Sequence, residues 1–288
     1  MSAATATPTT HAAHRPDPRV RVTFTRLVRS EWIKLWTVRS TWWLVPITIV
    51  VQVGFAWLMA FFTVQQLDNG TISVADVGPI TATDLAQGLL LAQLTIAVLA
   101  ILTITGEYST GMIRSTLTAA PRRLPALWAK GLVVIVITFL TGVVGTALSW
   151  AITYPVLGET YRIDLGSEIN QRVLLATPLY MVGIALLAFA IGALLRHSAA
   201  ALATVLGLLL VVETLFSALP IHVLRLISPF LPSSAGQQVL SSSTESIESL
   251  RAASDVAVLT PWQGFGVMIA WGLVLLAVAS VLLRRRDA

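Results

Sequence analysis

Apolar residues gather in six runs, Trp42–Val64, Leu85–Thr105, Gly131–Ile152, Leu174–Leu195, Ala199–Leu219 and Trp262–Leu283, with polar stretches of unequal length between them. Each run reaches the ~20 residues that a helix needs to cross the hydrocarbon of a bilayer. The pattern predicts six transmembrane helices. A different pattern precedes the first run. From Phe24 to Arg39, at helical spacing, Phe24, Leu27, Val28, Trp32, Leu35 and Trp36 share one broad face. Arg26 and Arg29 fall opposite, and Lys34 lies at one margin. An apolar face with two tryptophans and a basic back predicts a helix lying in the membrane interface. Glu31 breaks this pattern, because it projects into the apolar face. It is expected either to pair internally with Lys34 or Arg39, or to contact a neighbouring cytoplasmic protein or loop.

The connections carry their own signals. Residues 1–22, rich in Ala, Thr and Pro, read as a disordered tail and not as a cleavable signal. Gln65–Asp84 holds three aspartates and no basic residue, which predicts a short solvated loop. A helical turn or two is expected before Pro121, since proline tends to end a helix at the residue before it. Only Arg196, His197 and Ser198 separate the fourth and fifth runs, which predicts a tight antiparallel hairpin. The longest connection, Pro220–Pro261, opens with Val223–Pro232, apolar but broken by Pro229 and Pro232. Such a segment can dip back as an interfacial or re-entrant element, because non-helical backbone survives at depth only where protein or water covers it.

Charge orients the spans. Of the 19 Lys and Arg residues, 15 fall on the side holding the N-terminal arm, Glu107–Lys130, Arg196 and the C-terminal tail. The other side holds only Arg162, Arg172, Arg225 and Arg251. The positive-inside rule then puts both termini in the cytoplasm of a cell-membrane protein. Composition agrees, with 56% hydrophobic and 11% charged residues over 288 positions, where soluble domains carry about 25% charged. The net charge of +5 follows topology and anionic headgroups and does not indicate nucleic acid. The fold expected is an all-α membrane protein: the tail, then six spans within residues 23–288.

The chemistry is sparse. There is no cysteine, which excludes disulfides and thiolate sites. No phosphate-binding Gly-x-x-x-x-Gly-Lys-Ser/Thr loop, His-Glu-x-x-His pair or Gly-x-Ser-x-Gly elbow is present, so no enzyme activity and no nucleotide, metal or other cofactor site is expected in this chain. Glu213 is the one clear charge inside an apolar run. Its carboxyl is expected to be hydrogen-bonded to a neighbouring helix or reached by water, or else to line a substrate path. Small residues recur four apart at Thr138/Gly142/Thr146, Ala188/Gly192 and Ala199/Ala203/Gly207. Such stripes let helices approach closely, within the bundle or across a dimer.

Two stretches together resemble the membrane subunit of a type-2 ABC exporter, the ABC-2 permease family. Ser30-Glu31-Trp32-Ile33-Lys34-Leu35-Trp36, with Arg39, is similar to that family's amphipathic connecting helix. Glu107, Gly111, Arg114, Pro121, Arg122, Arg123 and Lys130 resemble its coupling region, which starts with an acidic residue ending span two and closes with a lysine opening span three. Pro229-Phe230-Leu231-Pro232 is a weaker match before the last span. The resemblance implies a permease that works by alternating access and exports its substrate. It also implies two partners, an ABC ATPase subunit that holds the ATP and Mg, and a second permease copy, identical or a sister chain. The stretch Glu107–Arg123 would then be the lever seated in the ATPase, with Arg114, Arg122 and Arg123 as forked donors for an acidic groove. A secondary transporter and a non-transporting scaffold or immunity protein are the alternatives.

Overall fold

The computed structural model describes residues 23–72, 80–112, 123–219, 221–241 and 257–285. Among these residues the chain is helical throughout, without strands. Six helices are long and apolar enough to cross a membrane: Arg39–Asp68, Ala82–Ser109, Leu124–Leu157, Glu168–Leu195, Ser198–Ala218 and Pro261–Arg285. This is the arrangement of a multi-pass membrane protein. The expected tail 1–22, the turn before Pro121, and Pro121 itself lie outside the described residues.

In chain order the elements are α1 (Phe24–Thr37), α2 (Arg39–Asp68), α3 (Ala82–Ala86), α4 (Leu89–Ser109), α5 (Arg123–Leu157) and α6 (Glu168–Leu195). The fifth span is α7 (Ser198–Leu206), a π-helical stretch (Gly207–Val212) and α8 (Glu213–Ala218). Then follow α9 (His222–Ile227), α10 (Pro232–Gln237) and α11 (Pro261–Arg285). The helix α6 is the hub, packed on α4, α5 and α11. Tyr180, Met181, Ile184, Leu187 and Phe189 on it are fully buried. An apolar helix with no polar stripe has no face to offer water and takes the centre.

Small residues set the closest crossings. Gly88 lies so near α2 that a Cβ there would sit 2.3 Å from the Gln52 carbonyl oxygen. Of the three expected stripes, Thr138/Gly142 and Ala188/Gly192 face the bundle interior, Gly142 against Pro178 and Gly192 against Ile104. Ala199 and Ala203 are exposed, and Gly207 has open space beyond its Cα. The hairpin between α6 and α7 turns on Arg196 in the left-handed region (φ 56°), whose N–H donates to Gly192 O. His197 caps α7, its Nδ1 accepting the Ala200 N–H.

One connection differs from its sequence reading. Gln65–Asp84 is not simply a solvated loop. Helix α2 continues to Asp68, which accepts a hydrogen bond from Tyr161, and Asp84 forms a capping box with Thr81 that starts α3. Ala82, Leu85 and Ala86 are buried there, because their apolar side chains meet α2 and α6. The segment after the fifth span does re-enter the bundle. Trp271, ten residues into α11, donates to Phe230 O at 2.9 Å, a depth of about 15 Å. From there α10 climbs back along α6. Ser233 meets Tyr180, and eight residues on, Ser241 O accepts from Arg172 at 2.5 Å. Those contacts are about 12 Å apart along α6.

Candidate functional site

At the end of the bundle that carries α1, four charged side chains close into a ring. Glu31 and Lys34 lie three apart on α1 and so share a face. Glu107 stands in the last turn of α4, and Lys130 in the second turn of α5. The Lys34 ammonium donates to Glu31 Oε1 at 2.7 Å and Glu107 Oε1 at 3.0 Å. Lys130 donates to Glu107 Oε1 at 2.9 Å and also to Glu31 Oε2. Each cation therefore touches both carboxylates, and the ring is neutral. Glu31, Glu107 and Lys130 are buried, while the Lys34 side chain is 31% exposed.

Two charges taken out of water cost several kcal/mol each, so a buried set persists only when every charge has an opposite neighbour. Lys34 lies outside the spans, and its pKa is raised above 10.5. Partial burial works against its charge, but hydrogen bonds and attraction from Glu31 and then Glu107 outweigh that. Among the described residues, Glu107 Oε2 is buried with no hydrogen-bond partner.

The ring corrects one expectation and completes another. Glu107, expected on the surface of a partner-facing loop, is buried, because α1 lies across it and both lysines bind it. Glu31 does pair with Lys34, as one of its two readings required, but its second partner is Lys130 and not Arg39. Lys130 does not open its span either, since α5 begins at Arg123 and buries it about two turns later. Gly111 takes φ +73° just beyond α4, a turn that only glycine adopts without strain. Arg114 and Arg122 lie outside the described residues, and Arg123 is described in its backbone alone.

Neighbouring contacts fix the ring in place. Trp32 and Trp36 meet edge to face at 6.1 Å between centroids, and Trp36 meets Trp42 at 5.5 Å. Trp42 also donates to Trp36 O at 2.7 Å, closing the corner between α1 and α2. On the far side of α4, Arg196 lies over the Tyr108 ring, and Ser198 donates to Thr105 Oγ1 at 2.9 Å. The ring is thus joined to the hairpin between α6 and α7.

A second polar centre occupies the opposite half of the bundle. Glu213 Oε1 accepts the Ser233 N–H at 2.8 Å, and Oε2 accepts the Ser234 N–H at 2.6 Å and hydroxyl at 2.8 Å. These amides are the first of α10, which the helix itself leaves without acceptors. Ser233 continues the network, its hydroxyl 2.9 Å from Tyr180 and accepting from Gln237 at 3.0 Å. Tyr180 in turn donates to Gln93 at 2.7 Å. A cavity of about 240 Å³ beside it is lined by Gln87, Gln93, Tyr180 and Gln237. The carboxyl of Glu213 is hydrogen-bonded within the chain, but to the re-entrant segment and not to a neighbouring span.

Among the described residues no group of three or more His, Asp or Glu is placed to hold a metal ion. The chain matches none of the protein families and none of the curated proteins with which it was compared.

Proposed function

We propose that this chain is the membrane-spanning permease subunit of an ABC transporter of the ABC-2 type, exporting its substrate by alternating access. A separate ATPase subunit binds ATP and Mg and drives it. The observation that carries this reading is the charged ring. Residues 113–122 are flanked by Glu107 and Lys130, and both are bonded to α1 through Glu31 and Lys34. A push on that stretch by a partner would move α1, α4 and α5 as one body. Arg114, Arg122 and Arg123 are the donors offered to the ATPase, and Glu107 is the residue that positions them. This assigns the basic α1 end to the cytoplasm, with both termini there. Helix α1 lies in the interface, with Leu35 buried, Ile33 exposed on the opposite side, and Trp32 and Trp36 at its corner with α2. The outward stripe Ala199/Ala203/Gly207 suits close approach by a second permease copy. Glu213 would act on the substrate path by anchoring α10.

A pull-down of the tagged protein from mild detergent tests the reading. A stoichiometric ATPase is expected to copurify and to be lost in Arg114→Ala, with the permease still inserted. A folded permease without a nucleotide-binding companion would refute the proposal and favour a secondary transporter or scaffold.

A further inference from the structure

Among the described residues five buried side-chain polar atoms have no hydrogen-bond partner, and three of them belong to two neighbouring spans. They are Gln52 Oε1 on α2, and Thr138 Oγ1 and Ser149 Oγ on α5. Gln52, Thr138 and Ser149 are 1%, 0% and 2% exposed, so bulk water does not satisfy them. Around α5, Thr138 and Ser149 fall within about 40° of Gly145. Gly145 is where α2 touches, since a Cβ there would sit 2.2 Å from Gln52 Oε1. The Gln52 amide nitrogen reaches only Thr146 Oγ1, at 3.4 Å. From Thr138 to Ser149 the helix rises about 16 Å, roughly half the thickness of the hydrocarbon. A buried polar atom without a partner works against the packed state that holds it. Three on one seam favour a second state in which α2 and α5 part and new partners enter. From Ser40 to Leu67 and from Gly131 to Leu157 these helices carry no charged residue. The partners on offer are therefore hydroxyls and a carboxamide.

We propose that the seam between α2 and α5 is the closed form of part of the substrate path, and that the path takes an uncharged substrate bearing hydroxyl or amide groups. When the helices part, Gln52, Thr138 and Ser149 hydrogen-bond that substrate and the water around it. A charged substrate would meet no counter-charge over this length, and its desolvation would go uncompensated. The bare backbone of Gly145 lets the seam close again against Gln52. The assignment as a substrate path rests on the permease reading; the opening of the seam does not.

The test uses the full-length cysteine-free chain in cells, carrying Thr138→Cys or Ser149→Cys, and the neutral reagent 2-hydroxyethyl methanethiosulfonate. Each rate is divided by that of a free thiol. Both positions are expected to react about tenfold or more faster than Val144→Cys, which is exposed on the outer surface of α5, where a thiol in apolar surroundings stays protonated and unreactive. The trimethylammonium and sulfonate analogues are expected to react about tenfold or more slowly than the neutral reagent at the same positions. Gln52→Met keeps the length of the side chain and removes its polar end. It is expected to slow reaction at Ser149→Cys by about tenfold, with the melting temperature held or raised. Rates at Thr138→Cys and Ser149→Cys no higher than at Val144→Cys would overturn the proposal, whether or not an ATPase copurifies. Charged reagents as fast as the neutral one would overturn the substrate class. A reactive seam in a chain that brings down no ATPase would support the seam while refuting the ABC reading.

Discussion

Lys130→Met puts the charged ring to its sharpest test. Lys130 is buried between Glu31 and Glu107, and its removal leaves Glu31 Oε2 without a donor and the ring with a net negative charge. Breaking a buried pair from one side costs about 3–5 kcal/mol. At roughly 2–4 °C per kcal/mol for a large domain, the melting temperature in detergent should fall by something of order 10 °C. Taking Glu31 away as well changes the outcome. Glu31→Gln with Lys130→Met leaves Lys34 and Glu107 as a neutral pair 3.0 Å apart. Removing both sides of a buried pair is often near neutral, so most of the lost stability should return. Glu31→Gln with Glu107→Gln also removes two side-chain charges, but it leaves the buried Lys130 ammonium without either carboxylate and should be the worst of the three. Thermal melting followed by size-exclusion recovery reads all of them. If the melting temperatures follow the number of residues changed and not the charge left behind, the account of the ring is wrong.

Four further outcomes follow from the same structure. Glu213→Ala leaves the Ser233 and Ser234 amides without their acceptors, which costs about 1–3 kcal/mol; hydrogen exchange across residues 232–240 should quicken, and unchanged protection would mean that Glu213 does not anchor α10. Gly88→Ala forces a Cβ against the Gln52 carbonyl and should destabilise by about 1–3 kcal/mol, whereas Gly54→Ala, with nothing within 4 Å, should be neutral or slightly stabilising in the same melts. The difference in melting temperature between wild type and Lys34→Met should hold steady through neutral pH, because a raised pKa keeps that stabilisation complete below 10.5 and loses it only as pH climbs through the folded value. The cysteine-free chain suits single-cysteine labelling with an impermeant maleimide; Glu168→Cys should label from outside intact cells and Thr110→Cys only after lysis, and the reverse would invert the proposed topology.

Periodicity and charge carried the sequence reading a long way, then stopped for physical reasons. Six apolar runs mark six spans because hydrocarbon demands that composition of any helix crossing it. The short turn at Arg196 and the Glu31–Lys34 pair were legible because both are local. Lys130 binding Glu31 was not, since the two stand 99 residues apart and meet only through helix packing. Nor does any local pattern tell a helix-opening lysine from one already buried two turns inside α5. The partners of Glu213 escaped for a similar reason. Ser233 and Ser234 follow Pro232 in a stretch that reads as ordinary loop, and their unsatisfied amides matter only once the segment has folded back beside the fifth span.

The π-helical stretch before Glu213 has a consequence for how that carboxylate is encoded. Ala201, Val205, Leu209 and Glu213 are all buried, at intervals of four. An unbroken α-helix advances about 100° per residue, so Glu213 would end about 120° around from Ala201 and turn toward lipid. The wider turns of Gly207–Val212 absorb that drift and return the carboxylate to the inner face. The position of Glu213 thus depends on the count of residues before it more than on their identities. Leu208, Leu210 or Val211 could each be exchanged for another apolar residue with little effect, and deleting one would let the stretch close into ordinary α-helix with the acid still within about 20° of Ala201, whereas inserting one more would rotate it by about 100°, out of reach of α10.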